Sequence, residues 1–124
     1  MSTESDNFLD FFISSRDGLT IVTLVGSLSM DHSETIKHCL NEVDISEDTH
    51  GVLYVRDLYN LEESGLPVLK QLIDCMTNRF GTHFTLCSVK PTVRLTLVQK
   101  GVCEESVFSN NLKEVILLRA QNKF

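Results

Sequence analysis

The apolar residues of this chain fall into alternating short runs and helical stripes. Phe8-Leu-Asp-Phe-Phe-Ile-Ser14 is rich in aromatics and predicts an edge strand. Arg16-Asp17-Gly18 carries a hairpin-type turn signal. Leu19-Thr-Ile-Val-Thr-Leu-Val25 is β-branched and apolar on both sides, as a central strand covered on two faces would be. The first two strands are therefore expected to pair as an antiparallel hairpin. Gly26 to Asp31 reads as a loop, and Ser33 to Val43 as an amphipathic helix with Ile36, Leu40 and Val43 on its inner face. The polar stretch Asp44 to Thr49 ends it, and Gly51-Val-Leu-Tyr-Val55 predicts a short buried strand.

The strongest stripe lies further on. Leu66, Leu69, Ile73, Met76 and Phe80 follow helical steps, Pro67 suits a first turn, and Gly81 suits a stop. Ser64 is expected to cap this helix by accepting a backbone N–H. His83 to Val89 predicts a strand, Pro91 to Lys100 a helix closed by Gly101, and Glu105 to Phe108 a short last strand. Asn111 to Arg119 predicts a final helix with Leu112, Val115 and Ile116 on its apolar face. The order β-β-α-β-α-β-α-(β)-α implies an α/β fold with a small, mostly parallel mixed sheet of about four or five strands. Residues 1–7 read as a frayed tail and residues 8–124 as one domain.

Composition adds limits. With 42% apolar and 23% charged residues, the 124-residue chain has the material for one core. Its net charge of −6 repels phosphates and anionic lipid, so nucleic acid and membrane insertion are not expected. The basic residues nearest to a cluster, Lys90, Arg94 and Lys100, are spread along one helix. No apolar run approaches the roughly 20 residues of a membrane span. The polar N-terminal stretch lacks the pattern of a signal peptide. Cys39, Cys75, Cys87 and Cys103 include no Cys-x-x-Cys pair, and are expected as reduced, mostly buried thiols of a cytoplasmic protein.

No catalytic constellation emerges. Phosphate-cradling glycine loops are missing from the sequence, and His32, His38, His50 and His83 have no metal-ligand spacing. Asp31-His32 reads as a solvated loop pair. Cys103 stands next to Glu104 and Glu105, a setting that disfavours the thiolate. Glu62-Glu63 is a carboxylate pair at a helix start, where negative charge gains about 0.3–1 kcal/mol per exposed group. No cofactor and no metal are expected, and the chain reads as a non-enzyme.

The segment Leu61-Glu-Glu-Ser-Gly-Leu-Pro-Val-Leu69 resembles the signature of STAS domains, the anti-sigma-factor antagonist family, in which Asp-Ser-Ser/Thr-Gly precedes a helix. Leu24-Val-Gly-Ser-Leu28, Val52-Leu-Tyr-Val-Arg-Asp57 and Phe84-Thr-Leu-Cys-Ser-Val-Lys-Pro91 resemble the flanking strands of that family, in the same order. The resemblance implies a small mixed sheet with helices mainly on one side. It also implies binding to a serine kinase that acts as an anti-sigma factor, or to a phosphatase-linked regulator, in a bacterial partner-switching pathway. In that family phosphorylation of the first motif serine abolishes kinase binding.

The motif departs from the family at its centre. Glu62 matches the Asp, Glu63 the phospho-acceptor serine, Ser64 the following Ser/Thr, and Gly65 the Gly. A carboxylate carries −1 where a phosphoserine carries about −1.5 to −2. The domain is then locked as a constitutive binder or scaffold, or Ser64 has taken over as acceptor, or control resides in the partner; the first is preferred. An accessory subunit of an ABC-type lipid-transport ATPase is the alternative that the resemblance offers. The expected oligomeric state is a monomer or weak homodimer.

Overall fold

A computed structural model describes residues 8–16, 18–43, 50–81, 83–109 and 111–120. The predicted tail (1–7), the central hairpin residue Asp17 and the polar stretch 44–49 lie outside the described residues. Strands β1 (Leu9–Arg16) and β2 (Leu19–Leu28) form the expected antiparallel hairpin, with Leu9 opposite Gly26 and Arg16 opposite Leu19. Helix α1 (Ser33–Glu42) follows, then β3 (His50–Tyr54), β4 (Leu58–Leu61) and α2 (Leu66–Phe80). The chain continues through β5 (Phe84–Cys87), α3 (Pro91–Gln99), β6 (Phe108–Ser109) and α4 (Leu112–Ala120).

The sheet runs β1-β2-β3-β5-β6, with β4 also paired to β2. All pairings except β1–β2 are parallel. This is the mixed α/β architecture expected, with six strands rather than four or five. The additional strand is β4, in the stretch between the expected strand Gly51–Val55 and the helix entered at Ser64. It forms because β2 runs three residues past its expected end: β3 pairs with its first half, and Leu58 to Leu61 pairs with Gly26 to Leu28 beyond that. The backbone groups of both segments are thereby satisfied. The expected strand over Glu105 to Phe108 is instead a 3-10 turn, Glu105–Val107, leading into the two residues of β6.

The two faces of the sheet bury separate clusters. On one, Val22, Leu24, Leu53 and Leu86 meet Ile36 and Cys39 of α1, Leu69, Leu72, Ile73 and Met76 of α2, and Leu97 of α3. These side chains are nearly all fully buried, each contributing roughly 1.5–3 kcal/mol on removal from water. On the other face Leu19, Ile21, Val52 and Cys87 are covered by Val115 of α4. Three helices thus pack on one side and one on the other. Leu69, Ile73, Met76 and Phe80 of the predicted stripe are buried and Leu66 is half-buried, which seats the helix with its N-terminus at the end of β4.

Candidate functional site

The site is built where the carboxyl ends of β2 and β4 meet the start of α2, the end of a parallel sheet at which α/β folds present functional groups. Glu62 is extended, and Glu63–Gly65 forms a 3-10 turn that runs directly into α2. Glu62, Glu63 and Ser64 are exposed and Gly65 is buried. The turn is tied to the end of β2: the Glu62 amide donates to the Leu28 carbonyl at 3.0 Å, and the Gly65 amide closes on the Glu62 carbonyl at 2.8 Å. The structure therefore brings the four predicted residues together on one turn, with both carboxylates beside the positive end of α2.

Ser64 departs from its expected role. It lies inside the helical turn rather than ahead of it, and no side chain caps either the turn or α2. Its hydroxyl instead accepts a long bond, 3.4 Å, from the Met30 amide of the neighbouring loop. The residue with capping geometry is Glu62, whose φ of −75° and ψ of 153° are extended.

The loop after β2 supplies what sequence reasoning missed. Met30–His32 forms a 3-10 turn capped by Ser29, whose Oγ accepts from the Asp31 amide at 3.3 Å. His32, expected as a solvated neighbour of Asp31, is 7% exposed. Its Nδ1 accepts the Ser29 amide at 3.1 Å, which completes a reciprocal capping box. The signal was present as a serine three residues ahead of a side chain with an acceptor; a histidine in place of the usual Glu or Gln hid it.

A groove of about 400 Å³ opens beside the site, lined by Leu61, Glu63, Leu66, Val93, Thr96 and Lys100 among others. It places one acid and one base on a partly apolar floor. The other basic residues of α3 and its entry are already engaged. The Lys90 ammonium donates to the Tyr59 carbonyl at 3.3 Å. The Arg94 guanidinium grips Glu105 Oε1 at 2.6 and 2.9 Å and lies over the Phe108 ring. The surface thus presents mixed charge, not the uniformly acidic loop suggested by the motif alone.

Thiol chemistry is disfavoured at Cys103 and Cys39. All four cysteines are free thiols. Burial, then the Glu105 carboxylate, pushes the Cys103 thiol up to about 11, against a nucleophilic role. Burial, then Glu42, pushes Cys39 up to about 12. Among the described residues no group of three or more metal-ligating side chains converges, and no helix is long and apolar enough to cross a membrane.

A mixed sheet with three helices on one face, presenting a turn at the N-terminus of its longest helix, defines a small α/β domain of a recognisable kind. The STAS domain profile matches residues 13–115, and the chain belongs to that family. Comparison with curated proteins gives no match. Among solved structures, an anti-sigma factor antagonist from Mycobacterium paratuberculosis superposes with a TM-score of 0.71 at 15% identity, over 92% of this chain and 96% of that one. RsbS from Moorella thermoacetica, bearing a serine-to-glutamate substitution, gives 0.63 at 21% identity, over 92% and 98%. The murine anion transporter Slc26a9 gives 0.68 at 19% identity, over 88% of this chain and 19% of the transporter. The same fold therefore stands alone and serves as a part of a transporter, and does not by itself specify a function.

Proposed function

We propose that this chain is a non-catalytic protein-binding module, an anti-sigma-factor antagonist-like regulator of a bacterial partner-switching pathway, whose loop Glu62-Glu63-Ser64-Gly65 meets a serine kinase of the anti-sigma type or a phosphatase-linked regulator. The carrying observation is the exposed Glu63 on the turn entering α2, where the family motif has its phospho-acceptor. A carboxylate cannot be switched by phosphate. The domain accordingly acts as a constitutive binder or scaffold, and regulation falls to the partner.

Supporting this reading, the site offers an open, mixed-charge surface whose turn is tied to the end of β2 through the Leu28 carbonyl. Its mode of action is complementarity: Glu63 and Lys100 flank the groove and can each meet an opposite charge on the partner.

The test is a phosphorylation and binding assay with a purified anti-sigma-type serine kinase from the same genome. Wild-type protein, in which Glu63 carries a single charge where a phosphoserine carries about −1.5 to −2, is expected to bind the kinase and to remain unlabelled by ATP. Glu63→Ser is expected to acquire label and to lose binding once labelled. Label on wild-type protein that disappears in Ser64→Ala would transfer the switch to Ser64 and overturn the locked-domain reading.

A further inference from the structure

The partner-facing turn is held by a second turn that the family motif does not include. Leu28, Ser29 and Met30 run alongside Glu62–Gly65, and the two segments are joined twice: at the Leu28 carbonyl, which receives the Glu62 amide, and at the Ser64 hydroxyl, which receives the Met30 amide. The direction of the Met30 amide depends on the turn it begins. That turn is closed on one side by Ser29 Oγ and on the other by the His32 ring.

We infer that His32 is a positioning residue for the loop 62–65, acting through the Ser29–Met30 turn; this rests on reading that loop as the partner-facing surface. A backbone N–H can only donate, so the bond from the Ser29 amide requires an unprotonated Nδ1. The ring is thereby fixed with its proton on Nε2. Burial excludes the water that would otherwise replace the bond, so losing the acceptor strands the Ser29 amide. The turn then relaxes, the Met30 amide swings, and Ser64 loses the donor that orients its hydroxyl. Glu63 shares the same helical turn and moves with it.

Three readouts test this. In isotope-labelled wild-type protein at neutral pH, a long-range proton–nitrogen spectrum is expected to show His32 protonated at Nε2 and bare at Nδ1. A proton on Nδ1 overturns the inference without any mutation. His32→Leu is then compared with His32→Gln, which keeps an acceptor at the same position of the capping box. The Leu variant is expected to speed amide exchange at Ser29 and Met30 by about tenfold beyond any change at Leu53 in the central strand. The Gln variant is expected to restore protection to within about threefold. Equal acceleration at Leu53, or none at Met30, shows a merely structural residue and overturns the proposal.

The third readout is affinity for the purified kinase, expected to fall about tenfold in His32→Leu and to recover in His32→Gln. Unchanged affinity alongside accelerated exchange overturns the positioning role. Failure of the wild-type protein to bind any such kinase strikes the proposed function instead, while the tautomer and exchange results still decide whether His32 holds the turn.

Discussion

A β-carbon added to Gly65 would stand 2.5 Å from the carbonyl oxygen of Leu28 and 2.8 Å from its carbonyl carbon. The Gly65 backbone is ordinary for a helix start, with φ −84° and ψ −12°, so the glycine answers a steric demand and not a conformational one. The same carbonyl receives the Glu62 amide, and neither partner can withdraw without breaking the β2–β4 junction. Gly65→Ala is expected to lower stability by about 1–3 kcal/mol, as overpacking against backbone does. Urea denaturation should show a lower midpoint with an unchanged slope. Binding to the kinase should fall as well, because Glu63 and Ser64 are displaced with the turn.

A second close approach fixes α2 on the sheet. Gly51 in β3 lies against the ring of Phe80, the last residue of α2, and an added β-carbon would run into that ring. Gly51→Ala is therefore expected to destabilise the fold by about 1–3 kcal/mol. Phe80→Leu makes room at the same point, so the double variant should be more stable than the two single losses added together. A strictly additive double-mutant cycle would show that the ring is not what meets the new methyl group.

The order of the elements was legible because α2, α1 and β2 each carry a dense apolar pattern that only one secondary structure can bury. Leu66, Leu69, Ile73, Met76 and Phe80 predicted a helix whose ends the structure reproduces closely. The site was less legible, for two reasons. Leu58-Tyr-Asn-Leu61 is too short to show a period, and it becomes a strand through Gly26 to Leu28, a partner more than thirty residues away. His32 sits in a polar stretch with no period at all; its burial follows from how the β2 exit meets α2, which no local window contains. Placing the cap at Ser64 failed for a related reason. Local spacing favours a serine before a helix, but Glu62 already ends the extended backbone, and Ser64 falls inside the turn.

The buried thiols make the fold sensitive to alkali. Cys39 is fully buried, and burial holds its thiol at about 12 in the folded state, above the ordinary thiol value of 9.0. Below pH 9 both states hold the proton and the shift costs nothing. Between about 9 and about 12 the unfolded chain ionises first, binds fewer protons than the folded one, and stability falls as pH rises. Cys103 adds a loss of the same sign, up to about 11. Denaturant titrations across this range should therefore show a falling unfolding free energy, and a shallower fall in Cys39→Ala than in wild type. Iodoacetamide at mildly alkaline pH should leave Cys39 unmodified in the folded protein and modify it in urea.

The last prediction concerns charge at the groove. Glu63 is exposed on the turn entering α2, whereas Glu114 is exposed in the first turn of α4, the helix that covers the opposite face of the sheet. Both stand near helix N-termini, so replacing either by lysine costs a similar fraction of a kcal/mol, about 0.3–1, in the folded domain alone. Only Glu63→Lys also places two lysines, with Lys100, on one groove. An approaching basic group would then meet repulsion where it met attraction, and association, more than dissociation, should slow. Stopped-flow measurements with the purified kinase at low salt are expected to show at least about a tenfold lower association rate for Glu63→Lys, a difference that shrinks as ionic strength rises. Glu114→Lys should stay within about twofold of wild type. Equal losses in the two variants would mean that net charge alone steers the encounter and that the α2 turn has no special place in it.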